Sequence, residues 1–181
     1  MQDKLEARKR ILNTADELFH RQGYNETGIN QIIKEANVAK ASLYYHFKTK
    51  DDLCVAYLQH RNEMWNTDFY NFIKDKEEKV LGAFDFLMEN NVAFDYRGCS
   101  FLNMLSETAI HKAAIFEELQ NHKKSFLLFF EQEITDPELA YTIYSLFENA
   151  ILESQLYRSQ EPVKRLQKIA RHLMEHTDSI V

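Results

Sequence analysis

Glycine and proline are scarce in this chain, at 4 and 2 of 181 residues. A fold of many short strands needs frequent turns, and turns draw on those two residues. Their scarcity excludes a loop-rich sandwich or barrel and points to long helices. Cysteine is as rare: Cys54 and Cys99 stand far apart, with neither a CxxC pair nor a zinc spacing. Both are expected as reduced, largely buried thiols. Long apolar runs are missing too. The longest, Phe126–Phe130, is far too short to span a bilayer. The segment Met1–Leu12 is charged and amphipathic, without the apolar stretch of a secretion signal. A soluble, cytoplasmic protein with no membrane partner is expected. No GxSxG, P-loop, GxGxxG or HExxH occurs, so no enzyme, cofactor or metal is expected.

What is present is a sequence with a core. Hydrophobic residues make up 45% and charged residues 28%, which excludes disorder. The net charge of −6 argues superficially against nucleic acid. Its distribution reverses that: residues 1–50 hold nine Lys/Arg against six Asp/Glu, a net +3, leaving −9 on the rest. A basic head on an acidic body lets only the head approach phosphates.

Apolar spacing predicts helices throughout. Residues 4–22 place Ile11, Leu12, Ala15, Leu18 and Phe19 on one face, and Gly23 stops them. A short helix follows at 29–36, then a tight turn at Asn37, then a helix at about 40–47. Thr49 and Asp52 form a capping pair for a fourth, which runs into the low seventies and joins head to body. Further helices are predicted over 77–91, 99–110, 112–134, Asp136 to about 158, and 162–177, with a break from Asn90 to Gly98. The expected fold is all-α, with about nine helices. A three-helix bundle with a helix-turn-helix occupies 1–50, and a larger helical ligand-binding and dimerisation domain occupies 51–181.

The informative stretch is Val38-Ala-Lys-Ala-Ser-Leu-Tyr-Tyr-His-Phe-Lys-Thr-Lys50. Leu43 and Phe47 face the core. A recognition helix needs small or long polar residues at its start to enter the major groove, which Lys40, Ala41 and Ser42 supply. It needs phosphate donors around its end, which Tyr44, Tyr45, His46 and Lys50 supply.

With Arg10-Ile-Leu, Ala15, Leu18-Phe19, Gly23-Tyr24, Thr27, Ile29, Ile32-Ile33, Ala36 and that stretch to Phe47, residues 5–55 resemble the TetR/AcrR family of bacterial one-component repressors. The resemblance implies an all-α homodimer on a palindromic double-stranded DNA operator, released when a small molecule enters the C-terminal domain. It implies that Thr27 and Gly28 approach phosphate, that Lys40 and Ala41 read bases, and that Tyr44, His46 and Lys50 reach phosphate. Tyr45 is implied at a base or its backbone. Three positions depart from the family pattern: Gly28 stands where Thr or Ser is usual, Ala39 where Ser is common, and Ala41 where Gly is frequent.

In the body, Cys99, Asn103 and Glu107 fall on one helical stripe. Similar Gly-Cys…Asn…Glu helices border the ligand cavity in one subgroup of the family. The candidate pocket comprises Phe84, Met88, Cys99, Asn103, Glu107, Phe126, Tyr144 and Phe147, with Asn103 and Glu107 as polar anchors. A carboxylate there predicts an apolar or aromatic effector, neutral to cationic. Cys99 is also a candidate sensor thiol. Glu107/His111 and His172/His176 have chelating i, i+4 spacing, but no third ligand stands near, and a surface role is preferred. The last two helices carry Tyr141, Ile143, Phe147, Ile151, Leu166, Ile169 and Leu173, more apolar surface than one neighbour covers, so dimerisation is expected there. The alternative is a helical small-molecule-binding or scaffolding protein that no longer binds DNA.

Overall fold

A computed structural model describes residues 2–176, among which there are nine α-helices and no strand. They are α1 (Gln2–Gln22), α2 (Ile29–Glu35), α3 (Lys40–His46), α4 (Lys50–Ile73), α5 (Lys79–Ala93), α6 (Ser100–Glu107), α7 (Ala113–Glu133), α8 (Pro137–Tyr157) and α9 (Glu161–His176). The all-α expectation holds. The break expected at Asn90 comes later, because α5 continues to Ala93. Asn91 is buried there and its amide donates to Gln160 Oε1 at 3.4 Å.

By contacts the chain divides into two units: Met1–Met64 with Ser100–Asn121, and Trp65–Cys99 with His122–Val181. The first unit therefore reaches past residue 50 and takes in α6, which differs from the boundary drawn by function.

The first unit closes around Ile11, Leu18, Ile32, Leu43, Leu53 and Leu58, none of which retains measurable exposure beyond 1%. Arg61 grips Asp16 through two parallel bonds of 2.5 and 2.8 Å, holding α4 against α1. The paired geometry suits a guanidinium and would be lost with lysine.

The second unit is built on aromatic rings. Trp65 stacks on Phe69 at 4.7 Å and meets the edges of Phe126 at 4.9 Å and His122 at 5.4 Å. Phe147 touches Phe126 and Phe84 at 4.9 and 5.3 Å. Such offset and edge-on pairs match the ring quadrupoles. Glutamines of α8, of α9 and of the turn between them tie the frame: Gln155 donates to Arg97 O, Gln160 to Met88 O, and Gln167 to Leu81 O, at 2.8–2.9 Å. Gly98 suits this frame, because its φ is +77° and a Cβ would force the hydrogen-bonded Gln155 amide to move.

Ile143, Phe147, Ile151 and Leu166 are buried within this unit. They fill its own core, which corrects their expected place on a self-association face. The apolar residues of α8 and α9 that stay exposed are Tyr141, Leu152, Leu156, Tyr157 and Ile169.

Burial drives the His122 imidazole from 6.5 down to about 3, with the Lys123 charge adding to the effect. Unfolded, His122 takes a proton near its ordinary value, so across that interval the unfolded state binds more protons. Stability is therefore complete above pH 6.5 and falls on acidification toward pH 3. Between pH 6.5 and 5 the loss should be ~2 kcal/mol. Urea titrations across that range should show it, and His122→Phe should flatten the slope. Equal slopes for the two proteins would contradict the assignment.

Candidate nucleic-acid interface

Helix α2 ends where Asn37 turns left-handed, at φ +49°. Asn37 N–H donates to Lys34 O and Val38 N–H to Ile33 O, both at 3.2 Å, so two terminal carbonyls are satisfied without glycine. This stop turns the chain into α3. Leu43 and Phe47 plug α3 into the core, and Lys40, Ala41, Tyr44 and Tyr45 are left on its exposed side, with Tyr45 at 60%. Ser42 and His46 lie half-buried between the two faces. Gly28 caps α2 and Ala39 caps α3 in extended conformation, neither with a side-chain bond to a helix N–H. Nothing stands within 4 Å of a Cβ at Gly28, so this position is open.

Three expected contact residues sit differently. Thr27 is fully buried, and its hydroxyl donates to Gly23 O at 2.6 Å. It shapes the loop between α1 and α2, so its hydroxyl leaves the phosphate-contacting set. Lys50 Nζ donates to Tyr24 O at 2.5 Å and lies 4.0 Å from the centroid of the Tyr24 ring. Burial and the Lys112 charge hold its ammonium below the usual lysine range. Lys50 is thus a loop anchor first. His46 Nε2 is buried and without a partner, so that nitrogen faces no solvent.

The loop itself is tightly tied. Tyr24 O–H donates to the Asp51 carboxylate, and Lys112 Nζ donates to both Asp51 Oδ1 and Tyr24 Oη at 2.8 Å. Burial and the Asp51 bond push the Tyr24 phenol up to about 12. Burial alone would raise Asp51, but the bonds from Lys112 and Tyr24 outweigh it and hold the carboxyl below its ordinary value. Asn25 N–H donates to Glu107 Oε2 at 2.8 Å, and Asn25 Nδ2 to Glu107 O at 3.2 Å. Gly23, at φ +91°, lies so close that a Cβ would be 2.8 Å from Glu107 Oε2. Glu107 is therefore a pin for the α1–α2 loop, which corrects its expected role as a ligand anchor. Asp51, Lys112 and Asn25 escaped the sequence reading because each acts through a distant partner.

Of the expected pocket residues, Asn103 and Glu107 belong to the first unit. Phe84, Phe126, Tyr144 and Phe147 come together in the second, with Phe126 and Tyr144 rings 6.4 Å apart. Met88 is half-buried at the same helix as Phe84. Cys99 Sγ lies 3.8 Å from Lys123 Nζ, which itself bonds both Glu148 oxygens at 2.6 and 2.8 Å. Burial raises the Tyr144 phenol, and the Glu148 charge raises it further. Glu148 was not anticipated.

A sequence profile described as bacterial regulatory proteins, tetR family, matches residues 11–57. HTH-type transcriptional regulator SAR2658 of Staphylococcus aureus is 32% identical over 148 residues, covering 81% of this chain and 70% of that protein. HTH-type transcriptional regulator LmrA of Bacillus subtilis is 25% identical over 183 residues, covering 94% and 97%. The crystal structure of a TetR-family transcriptional regulator from Streptomyces coelicolor superposes with a TM-score of 0.78 at 23% identity, covering 94% and 95%. That last likeness speaks for the fold alone. A match this long to SAR2658, together with the profile over residues 11–57, makes the chain a member of the TetR/AcrR family and a helix-turn-helix transcriptional regulator.

Proposed function

We propose that this regulator is a cytoplasmic repressor, with no enzymatic activity of its own, that binds a palindromic double-stranded DNA operator as a homodimer and leaves it when a small molecule binds. The observation that carries the DNA reading is the exposed row Lys40, Ala41, Tyr44 and Tyr45 on α3, fixed from behind by Leu43 and Phe47. In this reading residues 1–50 contact DNA and residues 51–181 bind ligand and dimerise. Lys40 and Ala41 read base edges, Ser42 approaches them, and Tyr44, Tyr45 and Gly28 line the phosphates. Lys50 contributes charge while holding the loop.

Lys40→Ala should cost about 1–3 kcal/mol on the operator and far less on random DNA. A gel shift or fluorescence anisotropy assay at fixed salt, using DNA flanking the gene and a scrambled duplex, reads this directly. Equal wild-type affinity for both duplexes would favour the alternative, a helical binding protein that has lost DNA.

The exposed apolar residues Leu152, Leu156, Tyr157 and Ile169 support an isologous interface through α8 and α9. Two recognition helices would then stand roughly 34–36 Å apart, one turn of DNA. Leu156→Glu with Ile169→Glu should give folded monomers in sedimentation velocity, with operator affinity lost, because a monomer covers one half-site. A double variant that stays dimeric would remove this interface.

The effector is proposed to be apolar or aromatic, neutral to cationic. The support is the aromatic character of the second unit where Trp65, Phe126, Tyr144 and Phe147 gather, since a ligand that parts such rings meets apolar surface and, on their faces, a preference for cations over anions. Glu148 adds no free charge to that attraction, since Lys123 already neutralises it. Calorimetric titration should find hydrophobic cations binding at least about tenfold more tightly than fatty-acid anions, with Trp65→Leu reducing the difference. Preferential binding of the anions would overturn the charge preference.

A further inference from the structure

His172 and His176 belong to neither candidate site. They lie one turn apart on α9, both exposed, with ring centroids 4.1 Å apart and planes inclined by 38°. His176 Nδ1 lies 2.8 Å from the His172 carbonyl oxygen. A carbonyl oxygen only accepts, so Nδ1 carries the proton and donates. In the neutral ring, Nε2 then keeps its lone pair. Metal-bound histidines are held in this way, one ring nitrogen donating to a carbonyl while the other ligates. The bond fixes both the tautomer and the ring orientation before any ion arrives, so less order is lost on binding.

We propose that His172 and His176 chelate one divalent late first-row transition ion, such as copper, nickel or zinc, through two imidazole nitrogens, with water completing its shell. Imidazole is the ligand type those ions prefer, whereas magnesium and calcium take oxygen. Among the described residues no group of three His, Cys, Asp or Glu is placed to hold an ion. The site is therefore bidentate and binds more weakly than a closed four-ligand zinc site. Neighbouring charge does not forbid it. Arg171 is engaged by both Glu78 oxygens at 2.8 and 3.0 Å. Lys168 precedes His172 by one turn, and Glu175 lies beside the pair with opposite sign.

The test is isothermal titration of the tag-free full-length chain with NiCl2, CuCl2, ZnCl2 and MgCl2. One ion per chain is expected, with copper tightest and magnesium silent. His172→Ala and His176→Ala should each weaken binding at least about tenfold. His111→Ala, at an exposed histidine elsewhere, should leave it unchanged. Both substituted positions are exposed, so circular dichroism should report an unchanged fold. Nickel binding that survives in the double variant, absence of nickel binding in the wild type, or a stoichiometry of one ion per two chains would overturn the intrachain chelate.

Discussion

The helix-turn-helix unit depends on how Tyr24 is held. Its ring lies 4.0 Å from the Lys50 ammonium and 4.6 Å from that of Lys112, so two like charges share one aromatic side chain. Asp51 makes this tolerable, because it accepts from the Tyr24 hydroxyl and from Lys112 together. Without that carboxylate, the two ammonium groups would repel each other across the ring. Asp51 is 42% exposed, so solvent screens much of the attraction and its contribution to global stability is modest. Its larger effect is geometric. It locates the loop Gly23–Thr27, and that loop decides where α2 begins.

A chain with so few glycines must still turn its helices sharply. It does so by placing other residues in the left-handed region: Asn37 after α2, Asp95 and Tyr96 after α5, and Arg158 after α8. Each carries a cost of about 1–2 kcal/mol that glycine would avoid. The cost is offset where the following N–H reaches a terminal carbonyl, as Tyr96 N–H reaches Asn91 O at 2.8 Å. Gly23 and Gly98 take φ of +91° and +77°, and a Cβ at either would also push aside a hydrogen-bonded side chain, the Glu107 carboxylate or the Gln155 amide.

Much of the fold was legible in the sequence, for a definite reason. Helix ends are local events, and Gly23, Asn37, the Thr49–Asp52 pair and Asp136-Pro137 announce them through their own chemistry. Asp136 does accept from Glu138 and Leu139 N–H, and Thr49 and Asp52 bond reciprocally at 2.9 and 3.0 Å. The exposed face of α3 was legible too, since Leu43 and Phe47 fix which side is inside. What failed were mostly roles set by partners far along the chain, with Thr27 the local exception, since its hydroxyl closes a buried turn on Gly23 O four residues back. Glu107 looked like a ligand anchor because its stripe was visible and Asn25, 82 positions earlier, was not. Ile143, Phe147 and Ile151 looked surplus because periodicity reports an apolar face without saying what covers it.

The same long-range contacts set the scale on which this regulator can respond to anything. Within the first unit, the corner from Glu107 to Lys112 is joined to the α1–α2 loop and to the start of α4 by Asn25–Glu107, Lys112–Asp51 and Lys112–Tyr24. Displacing that corner breaks these bonds. Each is worth roughly 1–3 kcal/mol at most, less where solvent screens it. Their sum is a few kcal/mol, the same size as the coupling energies that link two sites in regulated proteins, typically about 1–3 kcal/mol. A much stronger clamp would hold the loop against any effector of ordinary affinity, and a much weaker one would leave α2 unplaced without DNA. An effector shifts the balance only by the difference in its affinity for the two arrangements. Screened ion pairs and single hydrogen bonds, rather than a packed apolar seam, keep that required difference within reach of one small molecule.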